Sequence, residues 1–246
     1  EIGERVKAVY ASFCQGDIEV TDIRTAEMTK VVENTFRDIN IAFANELLKI
    51  CYSDGMDVNE IIRIANKHPR VNILSPGPGV GGHCISVDPW FLVGDYPELA
   101  HLIRQARLTN DSMPDFVLER ICNLLKKEGL EQIRPGLSDY KRVGFYGLTY
   151  KENVDDVRES PTLQIVETMQ RHLAEPPKCY DPMVRKEVVA GQYHDFEAFL
   201  QDIDLLVVMV HHDHLDQNAS LVQNKVIFDT RNCGIAWAES NRVEHL

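Results

Sequence analysis

The spacing of apolar residues divides the chain into a helical part and a part where strands alternate with helices. From residue 24 to 53, apolar side chains recur every three or four positions with no Pro or Gly, which predicts one long helix. Asp57 followed by Glu60 resembles a capping box that opens a second helix. The predicted helices span residues 24–53, 58–66 and 97–127, the last broken at Met113-Pro114. Together they predict an all-helical unit over residues 23–135.

After residue 135 the pattern changes to short apolar runs separated by helical stretches. The predicted strands are 141–148, 178–180, 204–210 and 226–229, and the predicted helices are 161–172 and 196–200. Such alternation is typical of a parallel sheet with helices on both sides. We therefore expect a doubly wound α/β domain over residues 136–246, with a linker near Pro135-Gly136.

Residues 1–22 contain too little pattern for a domain of their own. A short helix is predicted over 6–13 and a brief strand over 18–20, and the sequence begins without Met. We interpret this segment as the remnant of a domain that precedes it, so that the chain is a fragment of a longer protein.

Composition narrows the classes of function. The 246 residues carry a net charge of −12, which argues against general nucleic-acid or anionic-membrane binding because no basic surplus exists. We find no apolar run long enough to span a bilayer and no signal peptide, so we expect a cytoplasmic protein. Six scattered cysteines without a C-x-x-C pair indicate neither a disulfide framework nor a zinc site.

The glycine-rich loop, residues 75–89, is the first candidate site. Four glycines and two prolines between residues 76 and 82 exclude helix and regular strand. The loop carries Cys84 with His83 before it and Asp88 after it, which is the layout of a reactive site. A plain turn with a buried thiol is the alternative. A cysteine hydrolase that pairs Cys84 with His83 is disfavoured, since adjacent side chains rarely face each other.

Polar residues on the long helix and beyond it are further candidates. Lys30, Asn34 and Arg37 share one helical face, where they could donate to an anionic or polyhydroxylated ligand or form an ordinary solvated stripe. His68 and Arg70 belong to the same non-helical connection as the cysteine.

The predicted sheet would bind a ligand beyond the carboxyl ends of its strands. The loop after the first strand lacks G-x-G-x-x-G, so a standard dinucleotide cradle is not predicted. Lys151, Arg158 and Arg231 lie in strand-end loops and suit a diphosphate. The loop 211–214 contains three histidines without helical spacing, which favours a surface or nucleotide-edge loop over a metal site.

Four motifs in order over nearly the whole chain resemble the UDP-glucose/GDP-mannose dehydrogenase family. They are residues 26–34, 79–89, 147–151 continued by 158–161, and 180–182. The resemblance implies a central helical dimerisation domain and a C-terminal UDP-binding domain. It also implies an N-terminal NAD-binding Rossmann domain, which is absent from this chain.

The activity implied by the resemblance is a four-electron, NAD-dependent oxidation of a nucleotide sugar's terminal hydroxymethyl group to a carboxylate. Cys84 would trap the aldehyde as a thiohemiacetal, which is oxidised to a thioester and hydrolysed. Lys30 and Asn34 would stabilise the oxyanion and help proton transfer, and Asp88 would help to activate or position water.

The resemblance also implies binding residues and partners. Contacts to the UDP-sugar are implied for Lys30, Asn34, Arg37, His68, Arg70, Gly81, Tyr150, Lys151 and Arg231. Arg158 would reach NAD, and Arg70 would be supplied across a homodimer interface built on the long helix.

Two further expectations concern which UDP-sugar is the substrate and whether the chain alone is catalytically active. The stretch 68–84 is most similar to family members that act on UDP-N-acetyl-D-mannosamine, while UDP-N-acetylglucosamine and UDP-glucose stay open. Without a Rossmann domain, we expect no turnover by the chain alone. The alternative is a non-catalytic module for nucleotide-sugar binding and dimerisation, which would bind UDP without reducing NAD.

Overall fold

The computed structural model describes residues 2–129, 132–134, 137–139, 143–172 and 177–246. The predicted linker at Pro135-Gly136 and the first two residues of the predicted strand 141–148 lie outside the described residues.

The first part of the chain is helical, as predicted. Its helices are α1 (Ile2–Tyr10), α2 (Ile23–Asp54), α3 (Val58–Ala65), α4 (Asp88–Asp95), α5 (His101–Asp111) and α6 (Met113–Lys127). Asp22 caps the long helix α2 by accepting from the Thr25 N–H at 3.0 Å, and Gly55 ends it in the left-handed conformation. The predicted strand at 18–20 is wrong, since those residues have no regular structure.

Helix α4 was not predicted. It begins with the last two residues of the glycine-rich loop and spans only eight residues, with Pro89 in its first turn. A segment this short carries little periodicity, and α4 forms here because it packs against α2 and α5. Its first residue is Asp88, so the candidate carboxylate lies at the N-terminus of a helix.

A six-stranded parallel sheet forms the second part, with strand order β5-β4-β3-β6-β7-β8. The strands are β3 (Val143–Tyr146), β4 (Lys178–Tyr180), β5 (Gln192–Tyr193), β6 (Leu205–Val208), β7 (Val226–Asp229) and β8 (Arg242–His245). A separate antiparallel pair, β1 (Gln132–Arg134) and β2 (Leu137–Asp139), precedes them. Strands β5 and β8 were missed because one has two residues and the other is largely polar, and both lie at the sheet edges.

Helices cover both faces of this sheet, which confirms the doubly wound α/β fold. On one face α6 and α7 (Pro161–His172) bury Ile121 and Ile165 against Phe145. On the other face α8 (Phe196–Gln201) and α9 (Asp213–Asn218) bury Phe199 and Leu215. Helix α6, predicted within the helical unit, thus also contributes to the core of the sheet.

The strand order fixes where a ligand can bind. From β3 the chain first adds β4 and β5 on one side and then crosses to β6 on the other. Ligands of such sheets bind outside the carboxyl ends of the strands at this switch. The loop that leaves β3, residues 147–160 and here named the β3 loop, lies at that edge. Separately, none of the described helices has the length and apolar composition needed to cross a membrane.

Candidate active site between the helical unit and the sheet

Two asparagines of α2 hold the N-terminal half of the glycine-rich loop and the residues before it. Asn45 accepts from the buried Gly77 N–H at 2.9 Å. Asn40 accepts from the Leu74 N–H at 3.0 Å and donates to the Asn72 carbonyl at 2.8 Å. Sequence reasoning missed both residues. Asn is a poor helix former, so its placement inside a long helix is the signal that could have found them.

A buried network extends this anchor into the helical unit. The Asn45 Nδ2 group donates to Asn110 Oδ1 at 2.9 Å, and Asn110 donates to Asp38 Oδ1 at 2.8 Å. Asp38 pairs with Arg107, which is 1 % exposed, and Arg107 also contacts Asp111. This network, which was not predicted from the sequence, connects α5 to the loop through α2.

The C-terminal half of the glycine-rich loop packs against the β3 loop. The Gly82 N–H donates to the Arg158 carbonyl at 3.1 Å. A Cβ on Gly81 would lie 2.6 Å from the Glu159 carbonyl oxygen and 2.7 Å from Tyr150 Cβ. Gly82 has φ +87° and faces the Tyr150 ring. Only glycine allows this approach, because a side chain would separate the two loops.

Arg231 meets the same glycine-rich loop from the end of β7. A Cβ on Gly77 would lie 2.8 Å from one of its guanidinium nitrogens. The Arg231 backbone is fixed by its N–H, which donates to Asp229 Oδ1 at 2.9 Å. Three predicted binding residues, Tyr150, Arg158 and Arg231, are therefore near one loop although they are distant in sequence.

Cys84 is exposed, so the alternative of a plain turn with a buried thiol is wrong. Its carbonyl accepts from the N–H groups of Val87 and Asp88, which starts the turn into α4. Hydrogen bonds to Asp156 raise the pKa of the Arg158 guanidinium, and electrostatic contributions from Tyr150 and Cys84 are smaller. A reactive cysteine must be accessible to its substrate, and Cys84 meets that requirement.

The structure joins two further predicted catalytic residues. Asn34, which is 4 % exposed, donates through Nδ2 to Asp88 Oδ2 at 2.6 Å. This bond links α2 to the first residue of α4, four positions after Cys84. The carboxylate therefore has a fixed orientation beside the segment that carries the thiol.

Other predicted residues lie on the surface. Lys30 is on the same face of α2 and pairs with Glu33 at 3.3 Å. His68 and Arg70 are exposed after α3, where the Arg70 N–H donates to His68 Nδ1 at 3.2 Å. Arg37 and Lys151 are exposed as well. Among the described residues, no hydrogen bond or ion pair connects these five side chains to Cys84.

The histidines after β6 are engaged in separate contacts. His212 is fully buried and lies 3.3 Å from Asp181, whereas His211 lies 2.9 Å from Asp216. His214 lies between two tyrosine hydroxyls. No group of three or more His, Cys, Asp or Glu residues is placed to hold a metal ion in the part of the chain that the structure describes.

Two models of one family match the chain. The central-domain model of the UDP-glucose/GDP-mannose dehydrogenase family matches residues 24–112, and its UDP-binding-domain model matches residues 144–234.

The curated proteins that are similar to this chain are about twice as long. A UDP-N-acetyl-D-mannosamine dehydrogenase of Methanocaldococcus jannaschii is 45% identical over 237 residues, which are 93% of this chain and 52% of that protein. An NDP-N-acetyl-D-galactosaminuronic acid dehydrogenase of Ralstonia nicotianae is 44% identical over 232 residues, or 93% of this chain and 52% of that protein. The chain spans about half the length of the curated relatives it matches.

Solved structures of similar proteins are also longer than this chain and also bear the name of UDP-N-acetyl-mannosamine dehydrogenases. The UDP-D-ManNAc dehydrogenase from Pyrococcus horikoshii superposes with a TM-score of 0.84 at 35% identity, covering 99% of this chain and 56% of that one. The UDP-N-acetyl-mannosamine dehydrogenase from Staphylococcus aureus gives 0.82 at 40% identity, covering 98% and 56%.

Proposed function

This chain belongs to the UDP-glucose/GDP-mannose dehydrogenase family, and we propose that it supplies the covalent centre and the nucleotide site of an NAD-dependent UDP-sugar 6-dehydrogenase. The observation that carries the proposal is the exposed Cys84 on a glycine-rich loop that packs against Tyr150 and the Arg158–Glu159 backbone. The names of its similar proteins favour UDP-N-acetyl-D-mannosamine as the substrate.

Cys84 acts as the nucleophile in the proposed reaction. The substrate's primary alcohol loses a hydride and a proton to give an aldehyde, and the thiolate adds to its carbon while the oxygen takes up a proton to form a thiohemiacetal. Loss of a second hydride and of the hydroxyl proton leaves a thioester. Water then breaks the C–S bond, which releases the carboxylate and restores the thiol. The substrate alcohol and one water thus yield a carboxylate, two hydrides and three protons.

Residues around Cys84 assist these steps by orienting water and by stabilising negative charge. The Asn34–Asp88 pair holds a carboxylate that orients the hydrolytic water. Lys30, one helical turn before Asn34, stabilises the negative charge that develops on the substrate oxygen. For that role the Lys30 ammonium would leave Glu33, and this exchange costs little because both side chains are more than half exposed.

NAD, when bound, takes up the two hydrides. Arg158 is the residue of this chain that would contact it, since its side chain is exposed and its backbone packs against the glycine-rich loop that carries Cys84. The β3 loop lacks the glycine fingerprint of a dinucleotide cradle. The sheet is therefore better suited to the UDP part of the substrate.

UDP binds at the carboxyl edge of the sheet in this proposal. Lys151 and Arg231 supply two cations from the loops that follow β3 and β7, and the sum of their charges suits a diphosphate. Gly81 lets the backbone of the glycine-rich loop approach the sugar, and Tyr150 closes the opposite side. Arg37, His68 and Arg70 complete the predicted set of contacts.

Dimerisation through α2 is part of the proposal. The helix exposes a stripe of large apolar side chains, with exposed fractions of 48% for Val32, 66% for Phe36, 56% for Phe43 and 51% for Ile50. A contiguous exposed apolar stripe of this kind marks an interaction surface. A second copy on this stripe would bring its own exposed Arg70 toward the first copy's site.

The proposal is tested by alkylation of the chain with iodoacetamide in the presence of UDP-N-acetyl-D-mannosamine. We expect the nucleotide sugar to slow the alkylation of Cys84 and to leave that of Cys14 unchanged, because Cys14 is also exposed but lies outside the site. A Cys84→Ser variant identifies the labelled peptide. Equal alkylation of Cys84 with and without the nucleotide sugar, together with no UDP binding by calorimetry, would refute the proposal.

A second candidate function for the isolated chain is to bind a nucleotide sugar without catalysing its oxidation. This function is favoured because the β3 loop lacks the dinucleotide fingerprint. In that case the chain binds UDP, and no NADH accumulates when NAD and UDP-N-acetyl-D-mannosamine are added. Sustained NADH production by the 246-residue chain alone would contradict this second function.

A further inference from the structure

A buried pair of side chains, Asp181 and His212, lies beneath the β3 loop. Both side chains are 0 % exposed, and His212 Nε2 lies 3.3 Å from Asp181 Oδ2. Asp181 follows β4 and His212 comes four residues after the end of β6, while the β3 loop leaves the strand between them. Because the three strands are parallel neighbours, their carboxyl ends bring the pair and the loop together.

Asp181 fixes the start of the β3 loop. Its Oδ2 accepts from the Leu148 N–H at 2.6 Å and from the Thr149 N–H at 3.1 Å, and its Oδ1 accepts from the Met183 N–H at 2.8 Å. Burial by itself would raise the pKa of Asp181, but the hydrogen bonds from His212 and from backbone N–H groups outweigh burial and lower that pKa. The carboxylate is thus held in its charged form by the groups that it positions.

His212 fixes the loop further along. Its Nδ1 accepts from the Asn153 N–H at 2.9 Å, so in the neutral ring the proton is assigned to Nε2, which faces Asp181. Asn153 has a positive φ of 57°, and its side chain exchanges two hydrogen bonds with Asp213, at 2.9 and 3.0 Å. The loop is therefore anchored at residues 148–149 and again at Asn153.

Tyr150, Lys151 and Glu152 are the residues between the two anchors. We propose that Asp181 and His212 are positioning residues that hold Tyr150 and Lys151 in place for the diphosphate of the nucleotide sugar, an inference that rests on the proposed function. A long flexible side chain such as Lys loses conformational freedom on binding, and a backbone fixed in advance reduces the ordering that binding requires.

The first measurement is amide hydrogen exchange of the chain without ligand. In His212→Ala, we expect faster exchange of the Leu148, Thr149 and Asn153 N–H groups. His212→Asn retains an acceptor near the position of Nδ1, so it should restore protection at Asn153 more than at Leu148. Unchanged protection of these amides in His212→Ala would overturn the proposal. If His212→Ala does not fold, the pattern in His212→Asn decides, and equal protection at all three sites would overturn it.

The second measurement is a double-mutant cycle for UDP binding by calorimetry. We expect His212→Ala to weaken UDP binding about tenfold when Lys151 is present and less than about twofold in the Lys151→Ala background. Equal losses in the two backgrounds would mean that His212 only stabilises the fold, and the proposal would be refuted. His212→Asn should recover part of the affinity.

Asp195→Ala provides a matched control in the same domain. Asp195 caps α8 by accepting from the Ala198 N–H at 2.7 Å and has no bond to the β3 loop. This variant should lower the thermal stability and leave UDP affinity unchanged in both Lys151 backgrounds. If the wild-type chain does not bind UDP, the proposed function is refuted. The hydrogen-exchange experiment then still decides whether His212 orders the β3 loop.

Discussion

Replacing Asn45 with alanine tests whether the helical unit holds the glycine-rich loop through buried hydrogen bonds. The change removes the acceptor for the Gly77 N–H and the donor to Asn110 Oδ1, both at 2.9 Å. Asn45, Asn110 and Gly77 are all buried, so water cannot easily replace the lost partner. A buried donor and a buried acceptor are then left without a bond.

The size of the effect follows from these two groups. An unsatisfied buried polar group costs about 1–3 kcal/mol, so Asn45→Ala should lower the free energy of unfolding by roughly 2–6 kcal/mol. Asn40→Ala is the matched control, since Asn40 also lies on α2 and makes two bonds to the same connection. Asn40 is only half-buried, and water can take over its bonds, so about 1–2 kcal/mol is expected. The gain in helix propensity is the same in both variants and cancels.

The assay is urea denaturation followed by circular dichroism, in which an unchanged m-value shows that the unfolded states are comparable. Calorimetry with UDP on the same variants reports whether the loop keeps its position. A loss of stability in Asn45→Ala no larger than that in Asn40→Ala would show that burial does not determine the cost of losing these hydrogen bonds.

Three further predictions concern other parts of the molecule. Gly81→Ala should weaken UDP binding measured by calorimetry, since its Cβ would lie 2.6 Å from the Glu159 carbonyl and push the loops apart; unchanged affinity would contradict this. The pKa of Asp181 is lowered in the folded chain. Its contribution to the free energy of unfolding is therefore fully present above the pKa of about 4 in the unfolded chain, and it is lost as pH falls through the folded pKa. Asp181→Asn should therefore flatten the loss of stability below about pH 4 in acid titrations, and an unchanged acid limb would count against it. Phe36→Glu places a charge on the α2 stripe and should reduce the mass found by light scattering from dimer to monomer; an equal mass in both proteins would argue against that interface.

The sequence predicted those elements whose pattern is long or strongly marked. Apolar periodicity gave α2 over almost its full length, and the density of Gly and Pro gave an irregular loop around Cys84. The short helix α4 and the edge strand β8 were missed, because eight and four residues carry too little periodicity and their formation depends on neighbours.

The site residues also divide into those that the sequence predicted and those that it did not. Cys84 stood out by its position in the loop. The ordered motifs indicated Tyr150, the strand-end position indicated Arg231, and the structure places both at that loop. Asn45 and His212 were not predicted as anchors. An Asn inside a long helix marks position 45 as unusual, but the local sequence does not show that Asn45 contacts Gly77 or that His212 supports the β3 loop.

Local residue patterns were enough to predict the helical unit, the alternating strands and the chemistry available, namely a thiol, carboxylates and cations in exposed loops. Which of these groups meet depends on the tertiary structure. The strand order brings three loops to one sheet edge, and the packing of α2 against α4 joins Asn34 to Asp88. Local patterns depend on residues within a few positions, whereas a partly buried hydrogen bond between residues 54 positions apart depends on how whole elements pack.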